Sequence, residues 1–185
     1  ALSAEDTHGT NTAIGYRALK VQDAGANAHN VAVGYNAGVS VSTGAYNTLL
    51  GGLTGDSLTS GAYNVAVGYN ALATEDAHGR NIAIGTNALT TLDAGTDAYN
   101  VAIGHNAGLS MTTGTRNTIV GGLAGDASAT GSRNTVLGYG ALTTENGGSY
   151  NVAIGYSALA SLDTGDAYNV AIGYEAGSPV TTGTE

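Results

Sequence analysis

Small and apolar residues alternate over short stretches that recur along the whole chain. In the stretch that begins at Asn30, Val31 and Val33 flank Ala32, and Gly34 follows. An alternation with a period of two is typical of a β-strand, and the β-branched residues favour the same structure. Each copy therefore predicts one short strand, and the Gly after it predicts a bend or a bulge.

Every copy opens with an Asn and carries a Gly four residues later. The Asn residues are Asn11, Asn30, Asn47, Asn64, Asn81, Asn100, Asn117, Asn134, Asn151 and Asn169. The bend glycines are Gly15, Gly34, Gly51, Gly68, Gly85, Gly104, Gly121, Gly138, Gly155 and Gly173. We expect the Asn side chains to form a ladder, in which each amide donates to one neighbouring coil and accepts from the other. Ten separate Asx-turns are the alternative.

The copies follow one another at intervals of about 17–19 residues, and such short fixed periods indicate a solenoid. In a solenoid each turn buries its apolar surface against the neighbouring turns. The pattern of intervals repeats after every four coils, so that Asn11, Asn81 and Asn151 open equivalent coils of a super-repeat. We predict an all-β protein, a β-solenoid or β-roll of about ten coils with this four-coil super-repeat. It forms a single continuous domain over residues 1–185. We also expect a weaker second strand in the return arm of each coil, as at residues 39–42 and 109–112.

Both faces of the predicted strands are apolar or small. The Val and Ile residues, such as Val31 and Val33, are predicted to fill the interior as two aliphatic stacks. The middle residue of the strand is mostly Ala, where a solvated face would show polar side chains. Because a strand that is apolar on both faces is usually buried on both, the opposite face is predicted to meet another chain. The predicted oligomer face consists of Ala32, Ala66, Ala102 and Ala153.

The charge of the chain and the sequence at its two ends indicate which kinds of partner to expect. Charged residues make up 10 % of the chain and the net charge is −9, which argues against nucleic acid as a partner. No apolar run approaches the roughly 20 residues of a membrane-spanning helix, so we expect no membrane insertion. The chain starts in mid-coil and shows no polar capping repeat. We therefore expect that the array continues in a longer protein or stacks end to end into a filament.

The repeats NVAIGYSAL (151–159), NVAVGYNAG (30–38) and NIAIGTNAL (81–89) resemble the head repeats of trimeric autotransporter adhesins of the YadA type. They are also similar to runs in phage tail-fibre proteins. The resemblance covers essentially the whole chain. It implies a left-handed parallel β-roll, a homotrimer with the small residues toward the partner chains, and an extracellular position on a cell or virion surface.

A row of large side chains precedes the Asn of each coil and forms a candidate surface-binding stripe. The stripe consists of Tyr46, Tyr63, Tyr99, Arg116, Arg133, Tyr150 and Tyr168, and His29 and Arg80 belong to the same row. Such a stripe could contact a cell-surface glycan or the extracellular matrix. The alternative is stacking of the rings between coils, which would stabilise the solenoid.

Candidate metal ligands recur with the super-repeat. Glu75, Asp76 and His78 repeat the set Glu5, Asp6 and His8, whereas the third copy has Glu145 and Asn146 but no His. Turn acids of a second kind, Asp93, Asp97, Asp163 and Asp166, could hold calcium, but the nonapeptide of calcium-binding β-rolls is absent. We interpret both sets as polar turns and expect no metal and no cofactor.

No pairing of a nucleophile with a base is visible, so we expect no enzymatic activity. The predicted function is that of an extracellular structural or adhesive fibre segment. A filament subunit that stacks head to tail is the alternative. An ice-binding solenoid is a weaker one, because the Thr residues do not fall at one Thr-x-Thr position in every coil.

Overall fold

A computed structural model describes residues 1–3, 10–144, 147–162 and 168–178 of the chain. Its ten strands have three residues each and form one parallel sheet in chain order. They are β1 (Thr12–Ile14), β2 (Val31–Val33), β3 (Thr48–Leu50), β4 (Val65–Val67), β5 (Ile82–Ile84), β6 (Val101–Ile103), β7 (Thr118–Val120), β8 (Thr135–Leu137), β9 (Val152–Ile154) and β10 (Val170–Ile172). The chain completes about nine turns, and the predicted all-β solenoid is confirmed.

Equivalent positions of the repeat lie side by side in every strand pair. Between β2 and β3, for example, Val31 lies opposite Thr48 and Val33 opposite Leu50. The register therefore stacks each position of the repeat into a column that runs along the solenoid. Among the described residues there is no helix that is both long and apolar enough to cross a membrane.

The glycine after each strand is required by both conformation and space. Gly104 has a φ of 142°, where residues with a side chain are rarely found. A Cβ atom at this position would lie 2.4 Å from the carbonyl oxygen of Gly121 in the next coil. The coils can thus approach one another only because this column has no side chains.

The return arm is a tight turn and not a second strand, so that prediction is wrong. Residues 35–40 turn twice through left-handed conformations, with φ of 55° at Asn36 and 57° at Gly38. The arm still bonds to its neighbours, since the N–H of Asn36 donates to the carbonyl oxygen of Tyr16 at 2.8 Å. Left-handed residues at every second position curl the backbone, and this curl closes a narrow coil within a few residues.

The interior is lined by the middle residue of each strand, so the predicted inward stacks are on the outside. Ala32, Ala66, Ala102 and Ala153 are completely buried within their own coils. The predicted oligomer face is therefore wrong, because these side chains are not accessible to a partner chain. A narrow coil leaves space for one small strand residue, and the remaining volume is filled from the return arm by residues such as Leu72 and Leu89.

Side-chain volume around Leu49 is balanced within its own coil and against the preceding coil. Leu49 replaces the usual Ala in β3, and the facing position in its return arm is Gly55, where an added Cβ would lie 3.1 Å from Leu49 Cδ2. The second methyl group of Leu49 extends toward Gly38 in the preceding coil, where a Cβ would come within 2.7 Å of it. The bulk of Leu49, and likewise that of Ile119 opposite Gly125, is therefore compensated by glycine on the arm side.

Candidate functional site

The outward side of the strand stack is apolar and accessible. We define the apolar face as the first and third residues of all ten strands. The first position holds Thr12, Val31, Thr48, Val65, Ile82, Val101, Thr118, Thr135, Val152 and Val170. The third position holds Ile14, Val33, Leu50, Val67, Ile84, Ile103, Val120, Leu137, Ile154 and Ile172. The third position is aliphatic in every strand, and Ile103, in β6 near the middle of the stack, is 37 % exposed.

The dimensions of this face follow from sheet geometry. Ten strands at a spacing of about 4.8 Å extend roughly 43 Å along the solenoid. Three outward columns, including the row before the Asn, span about 13 Å across the strands. The apolar face and this row together therefore cover roughly 560 Å², which is at the upper end of the ~300–600 Å² patches that single chains expose.

The row that precedes the Asn borders the apolar face on one side. Its residues adopt left-handed backbone conformations, with φ of 61° at both Tyr63 and Arg116. All seven residues of the predicted stripe are exposed. The rings also stack along the row, and the ring centroids of Tyr46 and Tyr63 are 5.0 Å apart. The stripe is thus accessible to a ligand and stabilised by contacts between coils.

Arginine side chains continue the stacking where the row lacks Tyr. The guanidinium of Arg80 lies 5.1 Å from the ring centroid of Tyr63 and 5.6 Å from that of Tyr99. Arg80 also forms an ion pair with Asp97 at 3.1 Å. Tyr63, Arg80 and Tyr99, with Val65 and Ile82 of the apolar face, line an open depression of about 480 Å³. An aromatic and guanidinium surface of this kind can hold a flat apolar or polar ring by stacking.

A second column of rings lies beyond the bend glycine. Here Tyr16 stacks on Tyr35 at 5.5 Å, and Tyr156 lies 5.8 Å from Tyr139. The column is interrupted at Gly52, where an added Cβ would lie 3.6 Å from the ring of Tyr69. These contacts are those of a ladder that stabilises neighbouring coils.

The ten Asn residues that open the coils form one column, and their contacts go mainly to the backbone. The side-chain oxygen of Asn30 accepts the N–H of Asn47, and its Nδ2 donates to the carbonyl oxygen of Gly44, each at 2.8 Å. A bond from one side-chain amide to the next is found in fewer coils, as from Asn117 Nδ2 to Asn100 Oδ1 at 3.2 Å. The side-chain oxygen therefore joins two coils, and the nitrogen closes its own coil in copies such as those of Asn30, Asn47 and Asn134, whereas Asn81 Nδ2 donates to Gly79 of the preceding coil.

A separate cluster of titratable groups lies on the loop side of the solenoid, between β4 and β6. Glu75, His78 and Asp93 each bring one ligand atom into a group whose members lie within 4.8 Å of one another. Glu75 is completely buried, and this burial raises the pKa of its carboxyl group, while the N–H groups of His78 and Ala94 oppose the shift.

The sequence analysis names all three residues but in separate sets, with Glu75 and His78 in one set and Asp93 among the turn acids of the other. Asp76, the third member of the predicted set, is not in the cluster, because its carboxylate accepts a hydrogen bond from the Thr59 hydroxyl. Asp93 is brought to the cluster by the following coil, and the recurrence of all three residues with the super-repeat would have been the signal. The related candidates Glu5, Asp6, His8, Glu145, Asp163 and Asp166 lie outside the described residues.

The chain was also compared with protein families, curated protein sequences and solved structures. No protein-family model matches the chain, and no curated protein sequence or solved structure matches it either.

Proposed function

We propose that this protein is a non-enzymatic structural or adhesive fibre segment on a cell or virion surface, and that it assembles with copies of itself through the apolar face. The observation that supports the proposal most is the row of ten aliphatic residues at the third strand position, of which four are exposed and six are half-buried. Exposed apolar surfaces of this extent mark interaction sites, because leaving them in water is unfavourable.

The composition of the face favours a second copy of the chain as its partner. Its two strand columns contain only Thr, Val, Ile and Leu, so the acidic groups that give the net charge of −9 lie elsewhere. Two such faces can therefore meet without bringing like charges together. Contact through the apolar face together with the adjoining row of Tyr and Arg residues would bury roughly 1,100 Å² in total, which is slightly above the ~1,000 Å² that a specific interface requires.

The stripe supports an adhesive role beside the structural one. Tyr63 and Tyr99 are about half exposed, and Arg80 lies between them. Exposed aromatic rings offer apolar surface with a polar edge, and guanidinium groups can stack on a ring of the ligand. The partner we propose for this surface is a cell-surface glycan or a matrix protein. An ice-binding role has less support, because no strand carries Thr at both outward positions.

The proposal is tested by charging the apolar face. In the variant Ile103→Glu/Leu137→Glu, two partly exposed positions become acidic. We expect the parent to sediment as an oligomer at micromolar concentration and the variant to sediment as a monomer with a nearly unchanged melting temperature. The matched control is Ala26→Glu/Ala77→Glu, which adds the same charge at two exposed positions away from the face and should leave the oligomer intact.

Three results would contradict this assignment. A parent that is monomeric at high concentration has no such interface. A variant that remains oligomeric must use another surface. Filaments that persist in the variant would assign assembly to the coil ends, in agreement with the head-to-tail alternative.

A further inference from the structure

The cluster of Glu75, His78 and Asp93 lies where two successive coils meet. Glu75 and His78 belong to the loop that follows β4, and Asp93 belongs to the loop that follows β5. The coil that contains Asp93 is longer than the coil before it, because its opening Asn and the next are 19 positions apart instead of 17. The longer loop brings both the Asp93 side chain and the N–H of Ala94 next to the Glu75 carboxylate. Two coils thus contribute to one small polar cluster.

Two buried polar atoms in this cluster, Glu75 Oε2 and His78 Nδ1, have no hydrogen-bond partner. Glu75 Oε1 accepts the N–H of His78 at 3.3 Å, but Glu75 Oε2 is buried without a hydrogen bond. His78 Nδ1 is also buried without a hydrogen bond and lies 3.7 Å from Glu75 Oε1. A completely buried carboxylate with an unpaired oxygen is costly, so it normally has a counter-charge or a bound ion.

The three side chains have the chemistry of a metal site. We propose that Glu75, His78 and Asp93 bind a divalent transition-metal ion, with Zn²⁺ as the representative case. One imidazole nitrogen and two carboxylate oxygens are ligands that Zn²⁺ accepts, and a water molecule can take the fourth position. An ion here would satisfy Glu75 Oε2 and His78 Nδ1 together.

The distances allow this assignment with a small adjustment. Bonds of roughly 2.1 Å to a tetrahedral ion place neighbouring ligand atoms roughly 3.4 Å apart. The pair of Glu75 Oε1 and His78 Nδ1 at 3.7 Å is close to that separation, and the whole set lies within 4.8 Å. Asp93 is exposed, so its carboxylate can move the remaining distance.

The sequence repeats the same three residue types one super-repeat earlier. Glu5, His8 and Asp23 occupy there the positions of Glu75, His78 and Asp93, although Glu5 and His8 lie outside the described residues. Asp76 and Asp6 recur with the same period, but the Asp76 carboxylate is bound to Thr59. The bound ion would hold the long loop of one coil onto the preceding coil and stabilise the stack locally.

The experiment measures the number of Zn²⁺ ions bound to the full chain after removal of metal with EDTA. ZnCl₂ is titrated calorimetrically into the parent, Glu75→Gln, His78→Gln and Asp93→Asn. We expect each variant to bind one Zn²⁺ fewer per chain than the parent, whatever the total is. In the parent, Zn²⁺ should raise the melting temperature more than in the variants.

Two controls separate this site from adventitious binding. His105→Gln removes an exposed imidazole outside the cluster, and Asp76→Asn removes the acid next to Glu75. Both should retain the stoichiometry of the parent. Asp93 is exposed, so Asp93→Asn keeps the test valid even if a substitution at buried Glu75 unfolds its coil. Equal Zn²⁺ stoichiometry in the parent and Asp93→Asn, or an equal loss in the controls, would overturn the proposal. Preferential binding of Ca²⁺ that His78→Gln does not affect would also overturn it.

Discussion

The side-chain oxygen of Asn100 accepts the backbone N–H of Asn117 at 2.9 Å. The same bond joins each neighbouring pair from Asn11 to Asn169, nine in all, at distances of 2.8 to 3.1 Å. Only a residue with an acceptor at this reach and a donor on the same side chain can bond to the next coil and to its own return arm. The bond to the next coil recurs in all nine pairs, and the second bond adds to it in coils such as those of Asn100 and Asn117.

Asn100→Ala should therefore destabilise the protein strongly. It removes the acceptor of the Asn117 N–H and the donor of the Gly114 carbonyl, which Asn100 Nδ2 contacts at 2.7 Å. Each buried group left without a partner costs about 1–3 kcal/mol. Asn100→Asp should be at least as damaging, because it also buries a carboxylate. Urea denaturation measures the loss, and Asn27→Ala at an exposed position should melt like the parent.

The bend glycines provide a pair of matched substitutions. Gly104 and Gly173 both have left-handed φ values, 142° and 133°, so Ala at either position costs about 1–3 kcal/mol in backbone strain. Only at Gly104 would the new Cβ also collide with the next coil, whereas at Gly173 it lies 3.9 Å from the Ala176 side chain. We expect Gly104→Ala to lower the denaturation midpoint clearly more than Gly173→Ala. Equal effects would mean that close approach between coils does not determine the glycine column.

The volume balance within the coil predicts a rescue. Leu49→Ala leaves a cavity and should cost about 2–5 kcal/mol. Gly55→Leu alone should cost about 1–3 kcal/mol by overpacking against Leu49. Together they recreate the arrangement of Ala66 and Leu72 in the next coil, where Leu adopts a φ of 52°, close to the 55° of Gly55. The double variant should be more stable than either single variant.

The control for this rescue uses the equivalent glycine one super-repeat away. Gly125 faces Ile119, so the combination Leu49→Ala/Gly125→Leu changes two distant coils. The changes in unfolding free energy caused by substitutions at sites this far apart should simply add. If the stability loss of each double variant equals the sum of the losses of its two single variants, Gly55→Leu does not compensate for Leu49→Ala.

Asp56 and Asp126 predict how stability depends on pH. Partial burial raises the pKa of both carboxyl groups above the usual value of 3.8, against the effect of their own N–H and the following N–H. The folded chain then binds these protons more tightly than the unfolded chain does. Their contribution to stability is therefore present at low pH and is lost as the pH rises from about 3.8 through the folded-state pKa.

Thermal midpoints measured between pH 3.5 and 7 check this expectation. The parent should lose more stability over the acidic part of the range than Asp56→Asn, which cannot ionise at this position. Asp23→Asn removes one charge from an exposed position and should follow the parent curve. An Asp56→Asn curve that runs parallel to that of the parent would show that this carboxyl group does not contribute.

The sequence by itself determined the number of coils, the position of each strand and the place of each bend. These features are local, because a strand of three alternating residues and a Gly at fixed spacing are recognisable within a single copy, and the regular period implies stacking in register. The Asn and Gly positions recur in all ten copies without an exception, which favours a solenoid over other all-β architectures. The all-β solenoid followed from these residues.

Only the tertiary structure decided which side of the strand is inside. The sequence does not show this, since Ala32 and the flanking Val31 and Val33 are all small or apolar. Alternation alone cannot tell which of two such faces is buried. The choice depends on how narrow the closed coil is and on what enters from the return arm. With Leu72 and its equivalents filling the interior, only a small residue fits on the strand side, and the larger Val and Ile side chains turn outward.

The tertiary structure also decided that Asp93, and not Asp76, joins Glu75 and His78 in the titratable cluster. Asp76 lies next to Glu75 in the chain, but its carboxylate is bound to Thr59 of the preceding coil. Asp93 lies far along the chain and is brought to Glu75 by one turn of the solenoid and a longer loop. Proximity of this kind depends on the path of the backbone between the strands, which strand periodicity does not encode.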